Sequence, residues 1–173
     1  RAVAEVSSSL ATGSTMGLVG ESGSGKSTLG HSLVRLISPP GTIVAGEIFF
    51  DGVDLLSLKE EEIRKVRGKR IAMVFQDPMS SLSPVKKVGQ HFVEYLREHQ
   101  PRTSEDEALD TAKEIFEDLG IEKSRVNDYP HQFSGGMRQR VMIGLALALN
   151  PELIIADEPT TALDVLVEAQ ILE

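Results

Sequence analysis

The 173-residue chain contains no cysteine and no tryptophan. Without thiols it can build neither a disulfide framework nor a thiolate metal site. Its four histidines (His31, His91, His99, His131) are scattered and form no ligand-spaced cluster. No apolar run is long enough to span a bilayer, and no signal-peptide pattern opens the chain. Positive charge is scarce, with 18 Lys+Arg against 26 Asp+Glu and a net charge of −8. That balance argues against a protein that coats nucleic acid. The single basic cluster, "RKVRGKR" from Arg64 to Arg70, reads as a solvated helix end running into a strand. These absences together favour a cytosolic protein. What is present is ordinary: 40% hydrophobic and 25% charged residues, enough for one domain with a sizeable core. The opening "RAVAEVSSSL" has no start Met or capping signal, and the closing "DVLVEAQILE" reads as a helix in progress. A fragment is expected.

Strand and helix signals alternate. "TMGLVG", residues 15–20, is a short apolar run ending in glycine and predicts a buried strand. Leu29, Leu33, Leu36 and Ile37 then recur at helical spacing, with "SPPG" as the stop. "GEIFFDGVDL", residues 46–55, predicts an antiparallel pair around the Asp51-Gly52 turn. "RIAMVFQ", residues 70–76, predicts a second buried strand. Val88, Phe92, Val93 and Leu96 make one amphipathic helical face. Ser104 and Glu107 form a capping box, Ala108, Ala112, Ile115, Phe116 and Leu119 line the core side of the next helix, and Gly120 stops it. A third helix is expected from about residue 135 to 149, closed by Asn150-Pro151. "LIIADEP", residues 153–159, predicts a third buried strand. The pattern implies an α/β layered core with a mostly parallel sheet, an antiparallel β part towards the N-terminus, and a helical subdomain at about 86–125, extending to the helix that ends near 149.

Four segments carry chemistry. Gly20-Glu21-Ser22-Gly23-Ser24-Gly25-Lys26-Ser27, followed by Thr28, fits G-x-x-x-x-G-K-S in full, between a strand signal and a helix signal. In such a loop glycines let backbone N–H groups wrap a phosphate, and the helix N-terminus adds its dipole. Lys26 reaches the β- and γ-phosphates, and the Ser27 hydroxyl ligates Mg²⁺. Asp157 and Glu158 leave the C-terminal end of the third strand, the edge where ligands bind in parallel sheets. One acid there suits Mg²⁺, and its neighbour suits deprotonation of a water. Gln76 leaves the second strand in the same way and could reach the metal or the water. A second anion motif lies in "FSGGMRQR": Ser134 as N-cap, with Gly135 and Gly136 leaving the first N–H groups of a helix bare.

In their order, "GESGSGKST", "FQDP", "FSGGMRQR" and "LIIADEPTTALD" resemble the ATP-binding subunit of an ATP-binding cassette (ABC) transporter, over nearly the whole chain. "FSGGMRQRVMI" and "QDPMSSLSP" are similar to the dipeptide, oligopeptide and nickel importer subfamily. Met137 stands where Gln is commoner, and Ser83 replaces a more usual Asn. The resemblance implies a P-loop NTPase fold in one ABC-type domain over 1–173, with ATP and Mg²⁺ bound. It implies two cassettes paired head to tail, so that Ser134, Gly135 and Gly136 meet the γ-phosphate held by the other subunit. It makes Gln76 the glutamine that senses Mg²⁺ and the membrane subunit, Asp157 the metal acid, Glu158 the catalytic base, and Asp164 part of the loop that crosses the dimer. The implied partners are integral membrane permease subunits and, indirectly, an extracytoplasmic substrate-binding protein, with the chain peripheral on the cytoplasmic face of the membrane. By the family layout the adenine-stacking aromatic falls before Arg1 and the switch histidine after Glu173. The segment Ser7–Ser9 is more polar than the family's usual strand there. Two other readings stay open: a soluble ABC ATPase of DNA repair or translation, and a fragment that binds ATP without turnover.

Overall fold

The computed structural model describes residues 2–76 and 82–158, so Asp164, expected in the loop that crosses the dimer, lies outside the described residues. The chain divides into two compact units, residues 1–63 and 64–173.

In the first unit α1 covers Lys26–Leu33. It is shorter than the Leu29/Leu33/Leu36/Ile37 spacing predicts. Arg35 takes a left-handed backbone, φ 55, and turns the chain out of the helix well before the prolines. Its guanidinium is engaged elsewhere, donating to the Leu55 and Leu58 carbonyls at 3.2 and 2.6 Å and pairing with Glu60 at 3.7 Å. The expected hairpin forms as β1 (Phe49–Phe50) and β2 (Val53–Asp54), antiparallel, with Phe50 opposite Val53. Asp51 and Gly52 both have positive φ, 51 and 76, the backbone that a two-residue hairpin turn demands.

The run at 15–20 departs from expectation. It forms no strand, and Val19 is 95% exposed. A parallel strand gains its stability from ladder partners on its flanks. In this unit the only ladder among the described residues is the hairpin.

In the second unit the end of α2 (Glu60–Val66) passes through a turn at Gly68, φ 76, into β3 (Ile71–Val74). This matches the reading of the basic cluster. β3 pairs in parallel with β4 (Leu153–Ala156), Ile71 opposite Leu153 and Val74 opposite Ala156. β3 is buried on both faces, whereas β4 alternates and Ile154 is 44% exposed. The prediction of a fully buried third strand is thus half met, since the apolar run "LII" cannot reveal that only one face is covered.

Between them, among the described residues, lie three helices: α3 (Val88–His99), α4 (Glu105–Asp118) and α5 (Gly135–Leu147). Two 3-10 turns, Lys123–Asn127 and Pro130–Gln132, link α4 to α5. The core side chains of the helices are those the spacing predicts. Val88, Phe92, Ala112 and Phe116 are fully buried in one cluster with Phe133 and Val141. Phe116 meets Phe92 edge-on at 5.8 Å and Phe133 at 6.3 Å, the favoured aromatic geometry. Gly144 lets α5 approach, since a Cβ there would lie 2.7 Å from Ile115 Cγ2 and 2.9 Å from Leu119 Cδ1. On its other side α5 packs Ile143 and Ala146 on Ala72 and Val74 of β3.

Both ends of α4 follow the reading. Gly120, φ 64, lets its own N–H reach the Glu117 carbonyl and that of Ile121 reach Phe116, at 3.0 and 2.7 Å, satisfying the last carbonyls of the helix. At the start Ser104 Oγ accepts from the Glu107 N–H, and Glu107 accepts in return from the Ser104 N–H at 2.8 Å. The Ser104 backbone and hydroxyl bonds hold the Glu107 carboxyl below its ordinary value of 4.5. A depressed folded value means that the contribution of Glu107 is complete above the ordinary value and is lost as pH falls through the folded one. Ser104→Ala is therefore expected to cost about 1 kcal/mol at neutral pH. Chemical unfolding of the full-length protein should show the deficit shrinking as the pH is taken below 4.5.

Candidate functional site

The loop from Gly20 to Thr28 relies on left-handed backbone at Gly23 and Gly25, φ 79 and 96, where a side chain is strained. Contact reinforces this at two points. A Cβ on Gly25 would lie 2.7 Å from the Ala2 carbonyl oxygen, and one on Gly20 would lie 2.7 Å from Ser24 Oγ. The Ser24 N–H closes the turn on the Glu21 carbonyl at 3.2 Å. Gly25, as N-cap of α1, offers no side-chain bond to the first helical N–H groups, and backbone donors at such a helix end suit an anion. Lys26 folds back over its own loop, Nζ donating to the Gly20 and Glu21 carbonyls at 2.7 and 2.9 Å. A phosphate oxygen is a stronger, charge-assisted acceptor than either carbonyl. The loop thus fits a phosphate chain, with Glu21, Ser22 and Thr28 completing the turn and the first helical residues.

In the second unit the parallel pairing of β3 and β4 brings Gln76, Asp157 and Glu158 to one edge. The Asp157 N–H donates to the Val74 carbonyl at 2.9 Å, carrying the ladder one residue past β4. Glu158 then turns left-handed, φ 49, an uncommon state for a residue with a side chain. Gln76 Nε2 donates to Glu158 Oε2 at 2.6 Å, so two residues separated by the whole helical segment meet directly. At the other end of the strands Arg70 grips Glu152 with a two-pronged fork, Nε to Oε1 at 2.6 Å and Nη2 to Oε2 at 2.8 Å. Those bonds hold the Glu152 carboxyl below its ordinary range. Both groups are partly exposed, so the fork's main effect is register. It fixes which residues of β3 and β4 stand opposite and hence which leave the sheet together. Asp157 and Glu158 are hard oxygen donors, the chemistry that Mg²⁺ prefers.

Ser134 caps α5 as read, its Oγ accepting from the Met137 N–H at 3.3 Å. Nothing lies within 4 Å of where a Cβ on Gly135 would be, so the helix end faces open space. α5 has 13 residues, about 20 Å of helix at 1.5 Å per residue, and its far end leads into β4.

One residue that sequence reasoning passed over is Arg125, which stood only as a boundary of the helical segment. Its guanidinium meets Asp128, Gln132, Phe133 and Met137 around the "FSGGM" segment. The only signal available was an Arg with an acid three residues on, too common to single out.

With this geometry in hand, the comparisons are direct. Residues 3–161 match the family described as ABC transporter, and the chain belongs to that family. It is 53% identical over its whole length to the oligopeptide transport ATP-binding protein OppD of Bacillus subtilis (strain 168), of which it covers 49%. It is 49% identical over 99% of its length to the dipeptide transport ATP-binding protein DppD of Lactococcus lactis subsp. cremoris (strain MG1363), covering 50% of that protein. The chain thus spans about half the length of these relatives. Its fold aligns with a solved dimeric ATP-binding cassette, described as a post-hydrolysis state bound to ADP and Pi. The TM-score is 0.76 and the identity 33%, over 88% of this chain and 63% of that one. The expected α/β fold of a P-loop NTPase is therefore the fold of this protein. No helix among the described residues is long and apolar enough to cross a membrane.

Proposed function

We propose that the chain is the nucleotide-binding part of an ATP-hydrolysing motor subunit that powers peptide import across a membrane. The observation that carries this is the edge formed by β3 and β4, where a carboxylate on a strained backbone is held by a glutamine from the neighbouring strand. The pair is exposed, as a carboxylate that must meet a water has to be, and the glutamine sets its direction. The likeness to oligopeptide and dipeptide transport ATP-binding proteins supports peptides as the cargo.

In this reading residues 1–173 form one ABC-type domain, with a helical subdomain at about 86–125 that extends to the end of α5. The Gly20–Thr28 loop binds the phosphates of ATP, and Lys26 supplies positive charge to the β- and γ-phosphates. The Ser27 hydroxyl is the metal-ligating group of the loop, and Asp157 is the metal-ligating acid after β4. Gln76, which follows β3 in the same unit as Asp157, is a further metal ligand. When bound, Mg²⁺ neutralises phosphate charge. Glu158 takes the proton of the attacking water, and Gln76, bonded to it, sets the orientation of its carboxylate. Ser134, Gly135 and Gly136 receive the γ-phosphate of ATP held by a second subunit arranged head to tail. The solved cassette to which the fold aligns is a dimer, which supports that pairing. Asp164 contributes at the junction between the subunits. The remaining partners are integral membrane permease subunits and, through them, an extracytoplasmic substrate-binding protein. The protein sits on the cytoplasmic face of the membrane, with no nucleic acid partner.

Affinity purification of the full-length protein in mild detergent should retrieve integral membrane subunits. Retrieval of nucleic acid and no membrane protein would refute the importer reading. Point changes test the second anion site. Gly136→Asp puts an acid where the γ-phosphate would arrive and is expected to abolish ATP turnover. Met137→Gln is expected to leave turnover within a few-fold of wild type, because anion contact there uses backbone N–H groups and a thioether is a poor anion ligand. Equal damage from both changes, in a steady-state phosphate-release assay, would count against this placement.

A further inference from the structure

From α4 the chain passes through two short 3-10 turns to Ser134 and the two glycines that begin α5. Glycine loses the most backbone freedom on ordering, so the Gly135-Gly136 step has little of its own to hold it. Ser134 Oγ restrains the Met137 N–H alone. The Ser134 carbonyl also accepts from the Arg138 N–H at 3.0 Å, and the Pro130 carbonyl from Arg138 Nη1 at 3.3 Å; one further side chain reaches the segment on both sides of Ser134. Arg125 Nη2 donates to the Gln132 carbonyl at 2.8 Å, two residues before Ser134. Its Nη1 donates to Met137 Sδ at 3.3 Å, three residues after. The guanidinium lies 4.3 Å from the centre of the Phe133 ring. Phe133 is itself buried in the core cluster and set edge-on against Phe116. The orientation of the guanidinium is fixed by the Asp128 carboxylate, which accepts from Nε at 2.9 Å. Asp128 is in turn anchored to the start of α3 through its carbonyl, which accepts from the Val88 N–H at 2.8 Å.

We propose that Arg125 is a positioning residue for the phosphate-receiving end of α5, holding the backbone on both sides of Ser134 so that the Gly135 and Gly136 N–H groups are preset for the γ-phosphate of a second subunit. The inference rests on the two-subunit reading above and adds a residue to it. Donors fixed in advance lose nothing to ordering when the anion arrives, which is where preorganised sites gain their strength. The role needs a planar fork with several donors and a flat face for the ring. Lysine, a single rotating ammonium, cannot reproduce it.

The test uses the full-length protein carrying Glu158→Gln, so that ATP-dependent dimers accumulate. Dimerisation at saturating ATP and Mg²⁺ is measured by light scattering, ATP binding by the isolated subunit by titration of a fluorescent analogue, and stability by thermal melting. Adding Arg125→Ala is expected to weaken dimerisation about tenfold or more, with subunit ATP affinity within twofold of the parent. Arg125→Lys should recover only part of the loss. Ser104→Ala, which weakens α4 away from this turn, should lower the melting point yet leave dimerisation unchanged. Unchanged dimerisation in Arg125→Ala would overturn the proposal. So would an equal loss in Ser104→Ala, which would make the effect one of general stability. A Glu158→Gln parent that stays monomeric with ATP would remove the two-subunit reading and this inference together, an outcome visible before Arg125 is changed.

Discussion

Glu158→Gln in the full-length protein is expected to lower ATP turnover about 10²–10⁴-fold while leaving ATP bound. The substitution keeps the size of the side chain and an oxygen able to accept the Gln76 bond, now 2.6 Å long. The local geometry therefore survives and only the proton-accepting carboxylate is lost. Binding energy that hydrolysis would otherwise release stays stored in the ATP state. In the two-subunit reading proposed above, each nucleotide then joins the Gly20–Thr28 loop of one chain to Ser134-Gly135-Gly136 of another. The variant is accordingly expected to be a dimer with ATP and Mg²⁺ and a monomer with ADP, which has no γ-phosphate to reach the second anion site. Steady-state turnover and size-exclusion chromatography with light scattering read both halves. Unimpaired hydrolysis would remove Glu158 from the role of base. A monomer at saturating ATP would instead remove the second anion site from "FSGGMRQR".

Lys26→Ala is expected to abolish useful ATP affinity. The ammonium now satisfied by the Gly20 and Glu21 carbonyls is the charge that the β- and γ-phosphates would draw away. Losing such a charge-assisted contact in a desolvated site costs about 2–4 kcal/mol, roughly 30- to 1000-fold in the dissociation constant. ADP should suffer as well, because its β-phosphate lies within reach of the same group. The two carbonyls left behind belong to a solvent-facing loop, so water replaces the ammonium and the fold is little disturbed. Equilibrium titration with a fluorescent nucleotide, beside a melting curve, separates the outcomes. Affinity within twofold of wild type would refute the assignment of the loop.

Much of this protein is written locally. The turn at Asp51-Gly52, the capping box at Ser104 and Glu107, the stop at Gly120 and the N-cap at Ser134 all form where the sequence places them. Each depends on a backbone preference or a side chain acting within about four residues. The same is true of the Gly20–Thr28 loop, whose left-handed turns fall on Gly23 and Gly25. The core faces of α3 and α4 were legible because helical periodicity survives any packing partner.

What the sequence could not decide were features set by partners distant in the chain. Residues 15–20 are apolar enough for a strand, but a strand exists only where another lies beside it, and here the run has no ladder. α1 ends early because the Arg35 side chain finds its acceptors at residues 55 and 58, a tertiary contact that outweighs the periodicity of Leu36 and Ile37. β4 is exposed on alternate residues although its sequence is apolar throughout, because burial depends on what covers each face. Gln76 and Glu158 are 82 positions apart, and only the parallel register of β3 and β4, pinned by Arg70 and Glu152, lets them touch. Arg125 carries in the sequence only a common Arg-to-acid spacing, yet its guanidinium closes on residues 128 to 137. The sequence by itself determined which groups can bind phosphate, which can take a proton and where the backbone can bend, since those are properties of single residues and short spacings. Which of those groups share a site, and which side chain holds them there, was decided by tertiary packing, because contact between remote segments depends on register and on burial, and neither is encoded in any one of them.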